Sequence, residues 1–215
     1  GGGARRAAAP EGTGAAGPPA GSGTLRAVLA ISCLNLMSFT TVSPILPGLM
    51  RHFDLNSMAS IGFVSSAFAS GQLLTTSLWP IASDYLGRQR VLCIALAGSA
   101  IGAALQGTAI ICYWPFQVFL LIRGMTGLFS GIVPVLKAYI YDTFGKDDAP
   151  SVLAYREAAG TLAFVFGPMF GGVLAARYFA SPFFFAAAAG VSAAVLAARC
   201  LGTTSGSRPA RSVAG

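Results

Sequence analysis

Three basic residues lie inside long apolar stretches, where a charge needs a partner. They are Arg123, Lys137 and Arg156. Lys137 and Arg156 lie close enough to the end of a stretch for their side chains to reach water, and Arg156 has Glu157 beside it. Arg123 lies about 12 Å inside its stretch, so its side chain must face protein or water. Two interpretations are open: Arg123 bonds backbone carbonyls and locks two helices together, or it faces a pathway for a solute or a proton.

The sequence offers few residues for acid–base, nucleophilic or metal chemistry. Its four cysteines have no C-x-x-C spacing, and we interpret them as small apolar side chains in helices. The one histidine, His52, is interpreted as a solvated loop residue. A serine protease within the membrane needs a G-x-S-G nucleophile and a positioned base, and the stretch 127–131 has the wrong spacing. We therefore predict no enzyme, no metal site and no cofactor.

The composition excludes an ordinary soluble domain. Apolar residues make up 54% of the 215 residues and charged residues 10%, against about 25% charged residues in soluble domains. A span takes about 20 residues, which leaves room for about six spans and no soluble catalytic or nucleic-acid-binding domain. The net charge of +7 is explained by basic cytoplasmic loops rather than by a nucleic-acid partner.

Six apolar stretches predict an all-α membrane protein, a bundle of six transmembrane helices over residues 25–200. The stretches are 25–47, 58–80, 91–112, 115–139, 152–176 and 178–200. The Gly/Ala/Pro-rich tail 1–24 is predicted to be disordered, and 201–215 to be a second flexible tail. Because the chain begins with Gly rather than Met, we expect a fragment or an incomplete gene product.

The basic residues predict the orientation. If the N-terminus is cytoplasmic, nine of them lie in or beside inner segments and two in outer loops. The first group is Arg5, Arg6, Arg26, Arg88, Arg90, Lys146, Arg199, Arg208 and Arg211, and the second is Arg51 and Arg177. Because inner loops are enriched in Lys and Arg, we predict a multi-pass protein with both termini in the cytoplasm.

Three short patterns predict a tight loop and close helix packing. Gly127 and Gly131 share one helix face, a spacing that admits a neighbouring helix. In the stretch 167–172, Pro168 predicts a kink, and Gly167, Gly171 and Gly172 predict a close neighbour. In the loop 84–90, a glycine permits a tight turn and two arginines favour the cytoplasm. Taken alone, the loop pattern fits a hairpin anchored in the cytoplasm, and the two glycine patterns fit ordinary helix packing.

Taken together, in this order, the patterns resemble the N-terminal half of a major facilitator superfamily transporter. Within that family the chain is similar to the drug/proton antiporters that include the tetracycline efflux proteins. The family patterns are G-x-x-x-D-R-x-G-R-R between helices two and three, R-x-x-x-G in helix four and G-P-x-x-G-G in helix five. The matching residues are Asp84, Gly87 and Arg88, then Arg123 and Gly127, then Gly167, Pro168, Gly171 and Gly172. Pro80 and Tyr85 depart from the first pattern.

The resemblance implies a function and a set of partners. Such a chain is one half of a twelve-helix transporter that moves a small organic solute by alternating access, here with proton-linked efflux expected. The implied partners are membrane lipid, the solute, protons, and a second six-helix half from a missing C-terminal part or a homodimer. The alternative is a truncated membrane protein that does not transport and has a structural or regulatory role.

The resemblance also implies which residues form the site. It places Asn35, Gln72 and Arg123 on the wall of the substrate cavity. It places Asp84, Arg88 and Asp142 in a charge cluster that holds one conformational state. Antiporter relatives often have an acid where this chain has Asn35, which cannot take up a proton, so proton coupling would need an acid in a second half.

Overall fold

The computed structural model of the protein describes residues 22–55, 57 and 59–202. These residues form helices joined by short turns, and no strand occurs among them. In chain order the elements are α1 (Ser22–Val42), a 3-10 segment (Ser43–Gly48), α2 (Leu49–His52), α3 (Ala59–Leu86), α4 (Arg88–Ile111), α5 (Phe116–Leu128), α6 (Val133–Arg177) and α7 (Ser181–Cys200). The predicted all-α fold class is confirmed.

One end of the bundle is joined by charged and polar side chains, and we call it the ionic end. Arg88, at the start of α4, forms ion pairs with Asp84 at the end of α3 and with Asp142 in α6. Gln89 donates a hydrogen bond to the Ala197 carbonyl near the end of α7, at 3.1 Å. The α3–α4 turn, the first part of α6 around Asp142 and the end of α7 therefore lie together.

The opposite end is joined by aromatic rings, and we call it the aromatic end. The His52 ring lies against Tyr113, in the α4–α5 turn, with centroids 5.2 Å apart, and against Phe179, in the α6–α7 turn, at 5.7 Å. The turns therefore alternate between the two ends. The described chain passes along the bundle six times, in the up-and-down order expected of six consecutive spans.

The long helix α6 supplies two of these passages because it reverses at Gly145. This residue has φ 74° and ψ 177°, a conformation that side chains with a Cβ rarely adopt. The Lys137 amine and the Glu157 carboxylate then approach to 3.9 Å, although 20 residues of straight helix would separate them by about 30 Å. The fifth passage thus begins at 146, earlier than the predicted 152, and the reversal lies in the connection predicted between 139 and 152. The kink at Pro168 stays a prediction.

The fourth passage differs from the continuous span predicted over 115–139. Helix α5 ends at Leu128, and α6 begins at Val133 with Pro134 in its first turn. Proline lacks the N–H that would continue α5 across this point, and Gly131 lies in the intervening turn. The Leu128 carbonyl at the end of α5 accepts a hydrogen bond from Trp79 Nε1 at 2.8 Å, which satisfies one group that the break leaves unpaired.

Four stretches of the described chain are long and apolar enough to cross a membrane. They are Ser22–Gly48, Arg88–Ile111, Phe116–Arg177 and Ser181–Cys200. The third is 62 residues long, about 93 Å if it were straight, and contains the reversal at Gly145. The chain is therefore a multi-pass integral membrane protein. That α3 is also a membrane span stays a prediction.

Two apolar clusters fill the bundle, one towards each end. The ionic-end cluster includes Val28, Leu92, Tyr139 and Ala197, and the aromatic-end cluster includes Ile45, Ile110, Phe119 and Phe183. Leu201, predicted to belong to a flexible tail, is 3% exposed within the ionic-end cluster. Ser22 to Thr24, predicted to be disordered, begin α1. The rest of the predicted tails, 1–21 and 203–215, lies outside the described residues.

Glycines bring two pairs of helices into backbone contact. A Cβ added at Gly127 would overlap the Phe68 carbonyl of α3, and one at Gly131 would come within 3.0 Å of Thr75. The α1–α6 contact uses Gly167 against Thr40 and Gly171 against the Thr41 carbonyl. Gly172 differs from its prediction, because an added Cβ would meet nothing within 4 Å.

Two neighbouring glycines of α6 give a matched test of this packing. We expect Gly171→Ala to lower the free energy of unfolding by about 1–3 kcal/mol, because its Cβ must displace the α1 backbone. Gly172→Ala should leave it unchanged or raise it by up to about 1 kcal/mol. The measurement is the Tm of each purified variant in detergent. Equal losses at the two positions would contradict the packing described above.

Candidate functional site

A cavity of about 290 Å³ lies between the two apolar clusters. Its wall contains the three side chains that the sequence predicted for a substrate cavity, Asn35 from α1, Gln72 from α3 and Arg123 from α5. These residues are up to 88 positions apart in sequence, and the six passages bring them to one place. Their role in binding a solute stays a prediction.

Arg123 is the charged residue of this wall. Its side chain is 6% exposed, and one guanidinium nitrogen donates a hydrogen bond to Gln106 Oε1 at 3.0 Å. The guanidinium carbon lies 4.7 Å from the centre of the Phe68 ring, within cation–π range. The buried Nε has no hydrogen-bond partner in the part of the chain that the structure describes. Its place on the cavity favours the second of the two interpretations left open for Arg123, and its contacts also link helices, through the Gln106 and Phe68 side chains rather than through backbone carbonyls.

Gln106 of α4 extends this contact into a network that the sequence reasoning missed. Its side chain is fully buried, and its Nε2 donates to Thr126 Oγ1 at 2.8 Å and to the Gly102 carbonyl at 3.2 Å. Thr126 in turn donates to the Ile122 carbonyl at 2.7 Å. Gln106 was overlooked because the resemblance assigns helix three no place on the cavity. An amide inside an apolar stretch is the signal that would have found it, because a buried polar group needs partners.

The remainder of the wall is apolar and aromatic. Phe39, Phe68, Phe164 and Phe183 line it together with small residues. Ser130, in the turn between α5 and α6, also lies on the wall and donates to the Thr126 carbonyl at 2.9 Å. Irregular backbone within a membrane helix is tolerated where it borders a cavity, and the α5–α6 break meets that condition.

At the ionic end, the predicted charge cluster is assembled from three helices. The Arg88 guanidinium lies 2.7 Å from Asp84 and 3.0 Å from Asp142, and it also donates to Ser83 Oγ at 2.6 Å. The Arg88 side chain is 12% exposed, whereas those of Asp84 and Asp142 are 53% and 35% exposed. A guanidinium carries several N–H donors in a fixed plane, which lets one side chain connect α3, α4 and α6.

His52 at the aromatic end corrects the prediction of a solvated loop residue. Its ring is stacked on Tyr113 and Phe179 and meets Phe53 edge-on at 4.9 Å. Its Nε2 is buried and has no hydrogen-bond partner within the described ranges. His52 ends the short helix α2, is half-buried, and contacts the turns that precede α5 and α7.

The other two cations of the apolar stretches lie near the ionic end. Arg156 is 4% exposed, and its guanidinium forms an ion pair with Glu157. Lys137 lies 3.9 Å from the same carboxylate and has a side chain that is 48% exposed. Lys137 thus reaches water as predicted. Arg156 does not, although the side chain of its partner Glu157 is 63% exposed.

Comparison with known proteins agrees with this architecture. The sequence model described as the Major Facilitator Superfamily matches residues 28–214. Two bacterial relatives are the multidrug resistance protein 1 of Bacillus subtilis, 30% identical over 80% of this chain and 43% of its own length, and the class E tetracycline resistance protein of Escherichia coli, 28% identical over 77% and 40%.

A solved structure shares the fold. The crystal structure of the human organic anion transporter MFSD10 (TETRAN) superposes with a TM-score of 0.71 at 25% identity, covering 87% of this chain and 49% of that one. The chain therefore spans less than half the length of each of these proteins.

Adjacent residues of α3 test whether the cavity is water-filled in the membrane. Gln72 lines the cavity, whereas Leu73 is 76% exposed on the outer surface of the described bundle. With the four native cysteines changed to alanine, we expect Gln72→Cys to react with a water-soluble thiol reagent at least about tenfold faster than Leu73→Cys, because the thiolate forms in water and not on an apolar surface covered by lipid or by a second half. Labelling rates in proteoliposomes give the measurement. Equal rates would contradict a hydrated cavity.

Proposed function

Because the chain belongs to the Major Facilitator Superfamily, we propose that it forms one six-helix half of a transporter that moves a small organic solute across a membrane. The observation that carries the proposal is the cavity lined by Asn35, Gln72 and Arg123. It lies between two apolar clusters in the middle of the bundle, the depth at which such transporters bind their solutes. The relatives named for multidrug and tetracycline resistance support a solute of this size class.

The proposed mechanism is alternating access. The half rocks as a unit against a second six-helix half, so that the cavity opens first to one side of the membrane and then to the other. The second half comes from a longer chain or from a second copy of this one. No Asp or Glu lines the described cavity, so any proton coupling is assigned to an acid of that second half.

In this mechanism, the contacts at the ionic end stabilise one of the two access states. The contacts of Arg88 with Asp84 and Asp142 tie three helices at one surface, and both carboxylates are partly exposed and so available to another protein surface. Loss of one carboxylate therefore shifts the balance between the two states without opening the apolar core.

We expect Asp84→Asn to slow solute flux by about fivefold, because it removes roughly 1 kcal/mol from a partly exposed ion pair. Flux is measured in proteoliposomes, at equal protein content for each variant. Asp148→Asn is the matched control, because this exposed acid makes no ion pair among the described residues. Unchanged flux in Asp84→Asn at normal protein level argues against the proposed role, and absence of flux in the unmodified protein favours the non-transporting alternative.

The proposed orientation places the ionic end and both termini in the cytoplasm, as the distribution of Lys and Arg favours. Tyr85, 86% exposed at the ionic end, and Tyr178, 77% exposed at the aromatic end, suit a labelling test. In sealed vesicles with the cytoplasmic face inside, an impermeant maleimide should label Tyr178→Cys directly and Tyr85→Cys only after permeabilisation. The reverse pattern would overturn the orientation.

A further inference from the structure

We propose that the outer face formed by α4 and α7 binds an anionic phospholipid. Arg90 and Arg199 hold its phosphate at the ionic end, and its acyl chains lie along two exposed apolar stripes. The inference goes beyond the proposed function, because it concerns the side of the bundle that points away from the cavity. It is carried by the position of the two arginines, the apolar side chains beside them and the lack of an acid on either helix.

The first observation is that α4 and α7 are held in register at the ionic end. The Gln89 side chain, at the start of α4, donates to the Ala197 and Ala198 carbonyls near the end of α7, at 3.1 and 3.0 Å. The next residue of each helix is an exposed arginine, Arg90 in α4 and Arg199 in α7. Because the axes of packed helices are about 8–10 Å apart, both long side chains can reach one headgroup.

The second observation is an exposed apolar stripe along α4 that starts beside its arginine. Ile94, Ile101 and Leu105 are exposed. They lie four, eleven and fifteen residues after Arg90, a spacing that places all four residues on one side of the helix. From Ile94 to Leu105 the stripe is about 17 Å long, close to the thickness of one leaflet, which is half of about 30 Å.

The helix α7 has the same arrangement with the chain running the other way. Val195, Val191 and Phe184 are exposed and lie four, eight and fifteen residues before Arg199. This stripe is also about 17 Å long. Its last member reaches α4, because a Cβ added at Gly107 would lie 2.9 Å from the Phe184 ring. The two stripes therefore run side by side, and each begins at an arginine.

The third observation is that this face points away from the cavity. Ser99 and Gln106 of α4 and Ala186 of α7 line the cavity, and the helical period places the stripes on the opposite sides of the two helices. Both helices are long and apolar enough to cross a membrane. A second half must face the cavity to complete it, so the stripes are left in contact with lipid.

The fourth observation is the charge of the face. Arg90 and Arg199 form no ion pair in the part of the chain that the structure describes, and neither α4 nor α7 contains an Asp or Glu. At the same end, Asp84 and Asp142 are bound by Arg88. Phosphate accepts paired hydrogen bonds from a guanidinium, and basic sites between membrane helices bind anionic lipid headgroups. An anionic phospholipid matches both the arginines and the stripes.

Two lipids with the same acyl chains test the proposal. Phosphatidylglycerol carries a net negative charge, and phosphatidylcholine carries none. The purified protein in detergent is titrated with each lipid, and bound lipid is counted by native mass spectrometry. We expect phosphatidylglycerol to bind at least about tenfold more tightly than phosphatidylcholine, the effect of two basic residues close to one headgroup.

Paired variants separate this face from the net charge of the protein. Arg90→Gln with Arg199→Gln should reduce the preference to within about twofold, whereas Arg90→Lys with Arg199→Lys should keep part of it, because the charge stays and the planar donors are lost. The matched control is Arg51→Gln with Arg177→Gln, which removes two exposed arginines from α2 and from the end of α6. It should leave the preference unchanged. The Tm of each variant without lipid reports folding.

Three results contradict the proposal: equal binding of the two lipids, a preference that survives Arg90→Gln with Arg199→Gln, or an equal loss in the control pair. Glycerol phosphate, a headgroup without acyl chains, tests the stripes. If it displaces phosphatidylglycerol at equal concentration, the face binds free phosphate and not a lipid. Lipid selectivity without solute flux refutes transport alone, and flux without lipid selectivity refutes the lipid site alone.

Discussion

A positive charge inside an apolar bundle must be accommodated by the protein, and the middle of this structure is arranged around that requirement. Arg123 is 6% exposed and is held by the Gln106 amide and the Phe68 ring. Those two residues come from α4 and α3, so α5 cannot shift relative to either helix without leaving the guanidinium unpaired. The cost of a buried unpaired charge thus fixes the mutual position of three helices at the depth where the cavity lies.

Close approach of helix backbones is the second condition that this arrangement needs. Arg123 meets Phe68 because α3 and α5 nearly touch, and they do so where Gly71 and Gly127 leave no Cβ between them. On the other side of the bundle, Thr40 donates to the Ala163 carbonyl of α6 at 3.0 Å beside Gly167. With no hydrophobic driving force between helices in lipid, small residues and such hydrogen bonds are what holds membrane helices together.

Hydropathy and motif spacing predicted the features that depend on local sequence. The all-α class and the order of the passages follow from the apolar stretches, whereas the nearness of Asp142 to Asp84 and Arg88 was implied only by the family resemblance. The aromatic contacts of His52 and the role of Gln106 did not follow from local sequence, because each depends on partners distant in sequence. The His52 ring is stacked on Tyr113 and Phe179, 61 and 127 positions away, and no local pattern encodes that contact. The interruption between α5 and α6 was also missed, although Gly131 and Pro134 are local signals for it.

Side-chain contacts hold the helices together at three depths of the bundle. They indicate which surfaces stay fixed and which are free to move. The ion pairs of Arg88 join helices at one end, the Arg123 network joins them in the middle, and the rings around His52 join them at the other end. A bundle restrained at both ends and in the middle deforms little. In the proposed mechanism the half therefore rocks as one body, and a change of access comes from movement of the second half along its outer faces. Two such faces are apolar and exposed, one on α3 around Leu73 and Leu74 and one on α6 around Val165 and Met169. Because these side chains do not pack inside the bundle, the surface of a second half can move along them without disturbing the contacts of Arg123.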